Sequence, residues 1–177
     1  KKLLKERLKR EALEIDSAEP ILKFNNKDEI SDITIPRRLF AHQMIEEAMI
    51  SANICAAKFM KRYLGFGIYR VHEEPENLKI ENLKKFFSLK GLSSKSFSDS
   101  LELINGFIGH VNKNEENKML NILILQSLKR AQYSTQEIGH FGLQLNEYSH
   151  FTSPIRRYPD LMSHRIIKKI LNKEASS

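Results

Sequence analysis

A helix-dominated α+β fold with a few short strands is predicted by three features of the 177-residue sequence. Small and apolar residues recur at helical spacing through about residues 36–64. Two short apolar runs flank an Asn-rich turn at residues 25–28. With 41% hydrophobic residues the chain can bury a core, which excludes wholesale disorder. The length suits one domain, or one domain with a small appendage.

Residues 1 to about 13 read as a first helix, with Leu3, Leu4, Leu8 and Ala12 at helical spacing among Lys, Arg and Glu. Ile21–Phe24 and Glu29–Ile35, on either side of Asn25-Asn26-Lys27-Asp28, predict a β-hairpin. Pro36 can open the next helix. That helix, about Pro36 to Leu64, carries the stripe Ala41, Ile45, Ala48, Ala52, Ala56, Phe59 and Tyr63, and Gly65 and Gly67 end it. Ile68–Val71 is a candidate strand. Helices are expected at about Glu76 to Lys90 and Ser96 to Asn105, separated by Gly91.

Asn112 to Ala131 reads as one long helix burying Met119, Leu120, Leu123, Leu128 and Ala131. Ser134 and Glu137 have capping-box spacing. Gly139 to Leu145 is expected to be extended. A last helix runs from Pro154 or Pro159 to Leu171, and residues 174–177 look like a frayed end.

Several function classes drop out. No apolar run approaches the roughly 18 residues of a membrane-spanning helix, so no membrane partner is expected. Cys55 is the only cysteine and sits in an apolar helical pattern, so an intrachain disulfide is excluded and a reducing cytoplasm is the simpler reading. The six histidines show no H-E-x-x-H or zinc-finger spacing, and no metal site is expected on them. His140 and His150 are expected to orient loops by hydrogen bonding. There is no Gly-rich phosphate loop, and Ser153 lacks the glycine context of a nucleophile elbow. The net charge of +7 (29 Lys+Arg against 22 Asp+Glu) points towards a polyanionic partner, although much of the charge is mixed-sign solvated surface. The chain opens Lys1-Lys2-Leu3 without Met, as expected of a piece of something longer.

The segment HFTSPIRRYPDL, residues 150–161, carries the chemistry. Ser153-Pro154 reads as a hydroxyl cap followed by Pro at the first helical position. Arg156 and Arg157 then fall in the first turn, where a cation opposes the helix dipole. Two arginines there make sense around a bound anion, because guanidinium forks match phosphate oxygens. They make equal sense as a surface helix start paired to Asp160 and Glu147, and spacing does not separate the two. Phe141, Tyr148, Phe151 and Tyr158 could stack on bases or belong to the core.

The run GHFGLQLNEYSHFTSPIRRYPDLMSHRIIK (residues 139–168) and the helix IEEAMISANICAAKFM (residues 45–60) together resemble the ribonuclease II/ribonuclease R family, whose catalytic module is the RNB domain. LKRAQYS at 128–134 and SPIRRYPDL at 153–161 place the resemblance nearer the ribonuclease R branch. The resemblance covers nearly the whole chain. It implies the C-terminal half of an RNB domain over residues 1–177, with an aspartate cluster upstream and an RNA-binding barrel downstream, both missing here. It implies processive 3′→5′ hydrolysis of single-stranded RNA to nucleoside 5′-monophosphates, using Mg2+ held by aspartates not in this chain. A monomeric, cytoplasmic enzyme with no obligate protein partner follows from the same likeness.

The family's catalytic arginine maps onto Arg156, binding the phosphate and stabilising charge that develops during cleavage. Arg157 is the second basic group and a backbone-positioning contact. Tyr158 joins them on the RNA-binding side. The acid that packs against the 3′-terminal nucleotide maps onto Glu46. The aromatic of the family's 3′-end clamp is replaced by Ile15, which offers an apolar contact without π-stacking. Asp16, Asp28, Asp32, Asp99 and Asp160 form no clustered pattern, so the chain by itself is expected to be inactive. The alternative is a non-catalytic helical RNA-binding or scaffold module.

Overall fold

The computed structural model describes residues 2–15, 21–34, 39–91, 97–113 and 120–172. The first helix, α1 (Lys2–Lys9), ends earlier than its apolar spacing predicts. Glu11 takes the left-handed conformation (φ 57°), which breaks the helix and turns Ala12 and Leu13 inward. The Leu13 N–H then donates to Gly142 O at 2.9 Å. The buried residue of α1 is not a leucine: Leu3 and Leu8 are exposed and Arg7 is buried.

The hairpin forms as expected, β1 (Ile21–Phe24) antiparallel to β2 (Ile30–Thr34), with a register shift after Lys23. Asn25 organises its turn. Its Oδ1 accepts the N–H groups of Lys27 (2.9 Å) and Glu29 (3.0 Å). Ile21, Leu22, Phe24, Ile30 and Ile33 are all exposed, and the expected members Ile35 and Pro36 lie outside the described residues.

The long helix α2 (Phe40–Leu64) is closed by Gly65 in the left-handed conformation (φ 76°), whose N–H donates to Lys61 O. Its buried face differs from the predicted stripe. Ala41, Ile45, Ala48 and Tyr63 are exposed, as is Cys55. The inward face is Glu47, Ile50, Asn53, Ala56, Ala57 and Met60, because α2 packs on a polar loop and on α6 rather than on the apolar core.

That core is built by α3 (Asn77–Leu89), α4 (Ser100–Val111) and α5 (Leu120–Ser127). Phe87 and Phe107 stack in it with centroids 4.0 Å apart, surrounded by Leu83, Leu103, Ile104 and Ile124. α4 starts four residues later than expected and runs on past Asn105. Asp99 caps it by accepting Glu102 N–H (2.8 Å), while Glu102 accepts Ser98 N–H and Oγ–H. Those bonds from Ser98 draw the Glu102 pKa down. The single helix expected over Asn112–Ala131 is not what forms: Asn112 caps α4, α5 ends at Ser127, and residues 132–134 are a strand. Met119 lies outside the described residues.

β3 (Tyr69–Val71) pairs antiparallel with β4 (Gln132–Ser134) on one edge. On its other edge the Arg70 N–H donates to Tyr148 O (2.7 Å), and His72 exchanges bonds with Gly139 and Phe141. The segment expected to be extended is therefore a 3₁₀ turn, Phe141–Leu143, held between bridges at His140 and Leu145. Gly142 permits the close approach: its N–H donates to His72 Nδ1 at 3.0 Å, and a Cβ there would lie 3.0 Å from the same atom. Ser134 does not cap a helix; its Oγ accepts Gln136 N–H in a turn. The last helix, α6 (Tyr158–Leu171), begins at the second of the two expected starts.

Candidate functional site

The loop between Tyr148 and Arg157 is pinned to α2 by one buried amide. Asn53 donates to Tyr148 Oη (3.0 Å) and accepts the Phe151 N–H (2.9 Å). Asn53 is 3% exposed, so both bonds form away from water and each would leave a costly orphan if lost. Farther along, His164 of α6 lies flat on Phe151 (centroids 4.0 Å, 4° between planes), and its Nε2 meets Phe151 O at 2.8 Å. The loop is thus clasped from both helices.

Ser153-Pro154 begins a turn and not the helix itself. Both Arg156 and Arg157 direct their N–H groups at Ser153 O, at 3.4 and 3.1 Å. Arg157 is the N-cap of α6 and Arg156 precedes it, so neither lies in the first helical turn as predicted. The first turn instead contains Asp160, fully buried, which suits the positive helix end. Asp160 Oδ1 accepts Ser153 N–H (2.8 Å) and Arg157 Nη2 (2.7 Å). Of the two expected arginine pairings, the one to Asp160 forms. Glu147 is taken by Lys61, 2.5 Å away.

On α2, Glu46 is held by Arg7 of α1. Arg7 Nη1 lies 2.7 Å from Glu46 Oε1 and 2.9 Å from Glu47 Oε1. Burial works against the Arg7 charge, but the two carboxylates outweigh it and raise its pKa. Glu46, Met49 and Asn53 from α2 then line one cavity of about 440 Å3 with Leu143, Tyr148 and Arg157. Arg156 stands exposed on the adjoining turn, and Tyr158 beside it is 68% exposed. Ile15 is elsewhere: it packs on the apolar core with Leu13 and Phe87 and does not line this cavity.

Behind the loop runs a series of rings, His72, His140, Tyr148, His150 and Tyr133, each edge-on to the next at 5.1–5.8 Å. Tyr133 Oη meets His150 Nδ1 at 2.8 Å, and Arg70 lies over the Tyr133 ring. Burial, then the neighbouring His72, lowers the His140 pKa to about 4. Burial, then Arg157, lowers that of His150 to about 4. Burial also lowers that of His72. These imidazoles are neutral at pH 7 and act as hydrogen-bonding spacers, in keeping with the loop-orienting role expected for two of them. Among the described residues there is no group of three or more His, Cys, Asp or Glu that could hold a metal ion.

Of the residues named from sequence, Glu46 and Arg157 line the cavity, Arg156 adjoins it and Asp160 takes its expected place beside Arg157, whereas Arg7 and Asn53 enter only with the structure. Asn53 left a signal, a lone amide inside the apolar run Ala52–Ala57. Arg7 left none, because buried and solvated arginines look alike in a Lys/Arg/Glu-rich helix.

The RNB domain model matches residues 1–173. The Ribonuclease R of Vibrio parahaemolyticus is 39% identical over 98% of this chain, which covers 21% of that relative. The chain spans about a fifth of the length of the curated relatives it matches. The solved structure of Mycoplasma genitalium RNase R in complex with ribose methylated single-stranded RNA superposes with a TM-score of 0.84, at 28% identity over 94% of this chain and 26% of that one. Yeast Ssd1, described as a pseudonuclease, shares the architecture at a TM-score of 0.65 and 26% identity, over 77% of this chain and 18% of that one. With a family model spanning nearly its full length, the chain belongs to the RNB domain family.

Proposed function

We propose that this chain works as part of a ribonuclease R-type exoribonuclease that hydrolyses single-stranded RNA from its 3′ end to nucleoside 5′-monophosphates. The observation that carries the reading is the shared cavity of Glu46 and Arg157, with the guanidinium of Arg156 exposed beside it. A carboxylate and a guanidinium at one cavity suit a nucleotide, since one accepts from sugar hydroxyls and the other binds phosphate oxygens in a fork. Arg156 takes the phosphate at which negative charge grows during cleavage. Glu46, held by Arg7, meets the 3′-terminal nucleotide. Arg157 walls the cavity, and Tyr158 offers an exposed ring to a base on the approach. An RNase R with RNA bound has this architecture, which supports RNA as the partner.

The described residues do not fit a metal site. Mg2+ therefore belongs, on this reading, to aspartates outside this chain, and the roles above are those of its own residues alone. No helix among the described residues is long and apolar enough to cross a membrane. We read the whole protein as a cytoplasmic monomer that needs no protein partner.

The second reading is a non-catalytic RNA-binding module. The shared architecture with a pseudonuclease favours it. Incubating the full-length protein with 5′-labelled single-stranded RNA and Mg2+ separates the two. Stepwise shortening from the 3′ end, stopped by a chelator, is expected. RNA that is bound yet stays intact would leave the binding module. The 177-residue chain alone is expected to leave RNA uncut, because it lacks the carboxylate cluster.

A further inference from the structure

Arg156 and Arg157 are neighbours in sequence but differ in electrostatic situation. Arg157 is 20% exposed and its Nη2 lies 2.7 Å from the Asp160 carboxylate, itself 0% exposed. No described carboxylate pairs with the exposed Arg156. The same Asp160 oxygen accepts the Ser153 N–H at 2.8 Å, and Ser153 O in turn receives the N–H groups of both arginines. One buried oxygen therefore closes the 153–157 turn and balances one of its two charges.

We propose that Asp160 is the positioning residue of the arginine turn: it seats residues 153–157, takes up the charge of Arg157, and leaves Arg156 as the guanidinium offered to an RNA phosphate. Asp160 acts through the arginines and reaches no substrate itself. The assignment rests on the function proposed above and adds to it a division of labour. Arg157 contributes shape and hydrogen-bond donors to the cavity wall, and Arg156 contributes unbalanced charge. A half-buried guanidinium stripped of its carboxylate is costly where it sits. Without Asp160, Arg157 is expected to swing towards water and drag the turn, displacing Arg156 from the scissile phosphate. Displacements of about 1 Å can cost about a hundredfold in rate.

The test uses Asp160→Asn, Asp160→Ala, Arg157→Met and the double variant Arg157→Met/Asp160→Asn in the full-length protein. Asn keeps an acceptor for Ser153 and removes only the charge. Asp160→Asn is expected to lower kcat tenfold or more with KM within twofold. In the Arg157→Met background the same change is expected to lower kcat less than threefold, since no charge is left to balance. Equal losses in both backgrounds, or kcat and KM changing together, would overturn the proposal. Hydrogen exchange over peptides spanning residues 149–161 supplies a readout that needs no activity. Exchange at 153–157 is expected to quicken at least tenfold in Asp160→Ala and to stay nearer wild type in the double variant than in Asp160→Asn. An unaltered protein that degrades no RNA would sink the proposed function, and the exchange data would still judge Asp160. If Asp160→Asn fails to fold while the double variant folds, charge balance is supported; if both fail, the carboxylate has a structural role independent of Arg157, and the proposal falls.

Discussion

Phe87 and Asn53 are buried to the same degree, 0% and 3% exposed, by opposite means. Phe87 is enclosed by α3, α4 and α5, where it stacks on Phe107 among aliphatic side chains. Asn53 is enclosed by α2 and the 148–157 loop, where its neighbours are a tyrosine hydroxyl and a backbone N–H. The first region is held by non-directional burial, the second by a few directional bonds. A dry core tolerates swaps of similar volume; a polar clasp dictates the identity of each partner. The 153–157 turn that carries Arg156 and Arg157 belongs to the clasp, because directional bonds fix a guanidinium within narrower limits than burial by area does.

The largest effect is expected from the dry side. Phe87→Ala should cost about 3–5 kcal/mol, the range for a fully buried aromatic. Chemical unfolding of the variant checks this. A loss under about 1 kcal/mol would mean that α3–α5 is not the load of the fold and that the contrast between the regions is misdrawn.

Next comes the polar side. In the full-length protein, Arg156→Ala is expected to lower kcat about 10²–10³-fold, the worth of one preorganised donor at developing charge. RNA affinity should barely move, since many phosphate contacts share the binding. Lys at 156 should restore only part of the rate, because a point charge cannot replace a fork. Single-turnover cleavage and filter binding decide it. An affinity loss as large as the rate loss would make the contribution uniform binding.

This contrast also explains what was legible in the sequence. Two of the helices that build the dry core were legible near their places, α3 to within a residue at each end and α4 four residues early, because helical periodicity reports burial by area. Glu46 was legible only through resemblance to a family, and Arg156 as one of two arginines suited to an anion, its separate role coming from the resemblance. The register of α2 was legible only in part, for a physical reason: Ala56 of the expected stripe is buried, but the inward face also carries Glu47 and Asn53 and the outward face Ile45 and Ala48, against the apolar pattern. The end of α1 hung on the single left-handed residue Glu11, and the helix expected over 112–131 gives way to the Asn112 cap of α4 at one end and to the end of α5 at Ser127 at the other, just before residues 132–134 pair with β3. Such long-range pairings leave no local trace.

The two regions should part again with pH. His140 and His150 have folded pKa values lowered to about 4, chiefly by burial, against about 6.5 in the unfolded chain. The unfolded state therefore binds more protons between these values. The stability contributed by the neutral rings is complete above about pH 6.5, declines as pH falls, and is gone once pH passes below the folded pKa values. Urea midpoints measured from pH 7 to pH 4 should fall, with loss of protection first in residues 139–151 and last in α3–α5. A flat profile, or simultaneous loss in both regions, would show that the ring series and the core are one cooperative unit.

The smallest effect is expected where neither means of burial operates. Phe24 is as aromatic as Phe87, yet it is 58% exposed on a hairpin whose other apolar residues, Ile21, Leu22, Ile30 and Ile33, are exposed too. Phe24→Ser in the 177-residue chain removes little buried area, so unfolding free energy should change by no more than about 0.5 kcal/mol. Contiguous exposed apolar surface of this kind marks a place where another surface packs. The same substitution made in the full-length protein therefore sharpens the contrast. A cost several times larger there would show that the hairpin is buried by the remainder of the protein, through the non-directional burial that encloses Phe87. Equal small costs in both settings would show a solvated hairpin. A large cost in the 177-residue chain that vanishes on dilution would show that two copies cover one another's strands.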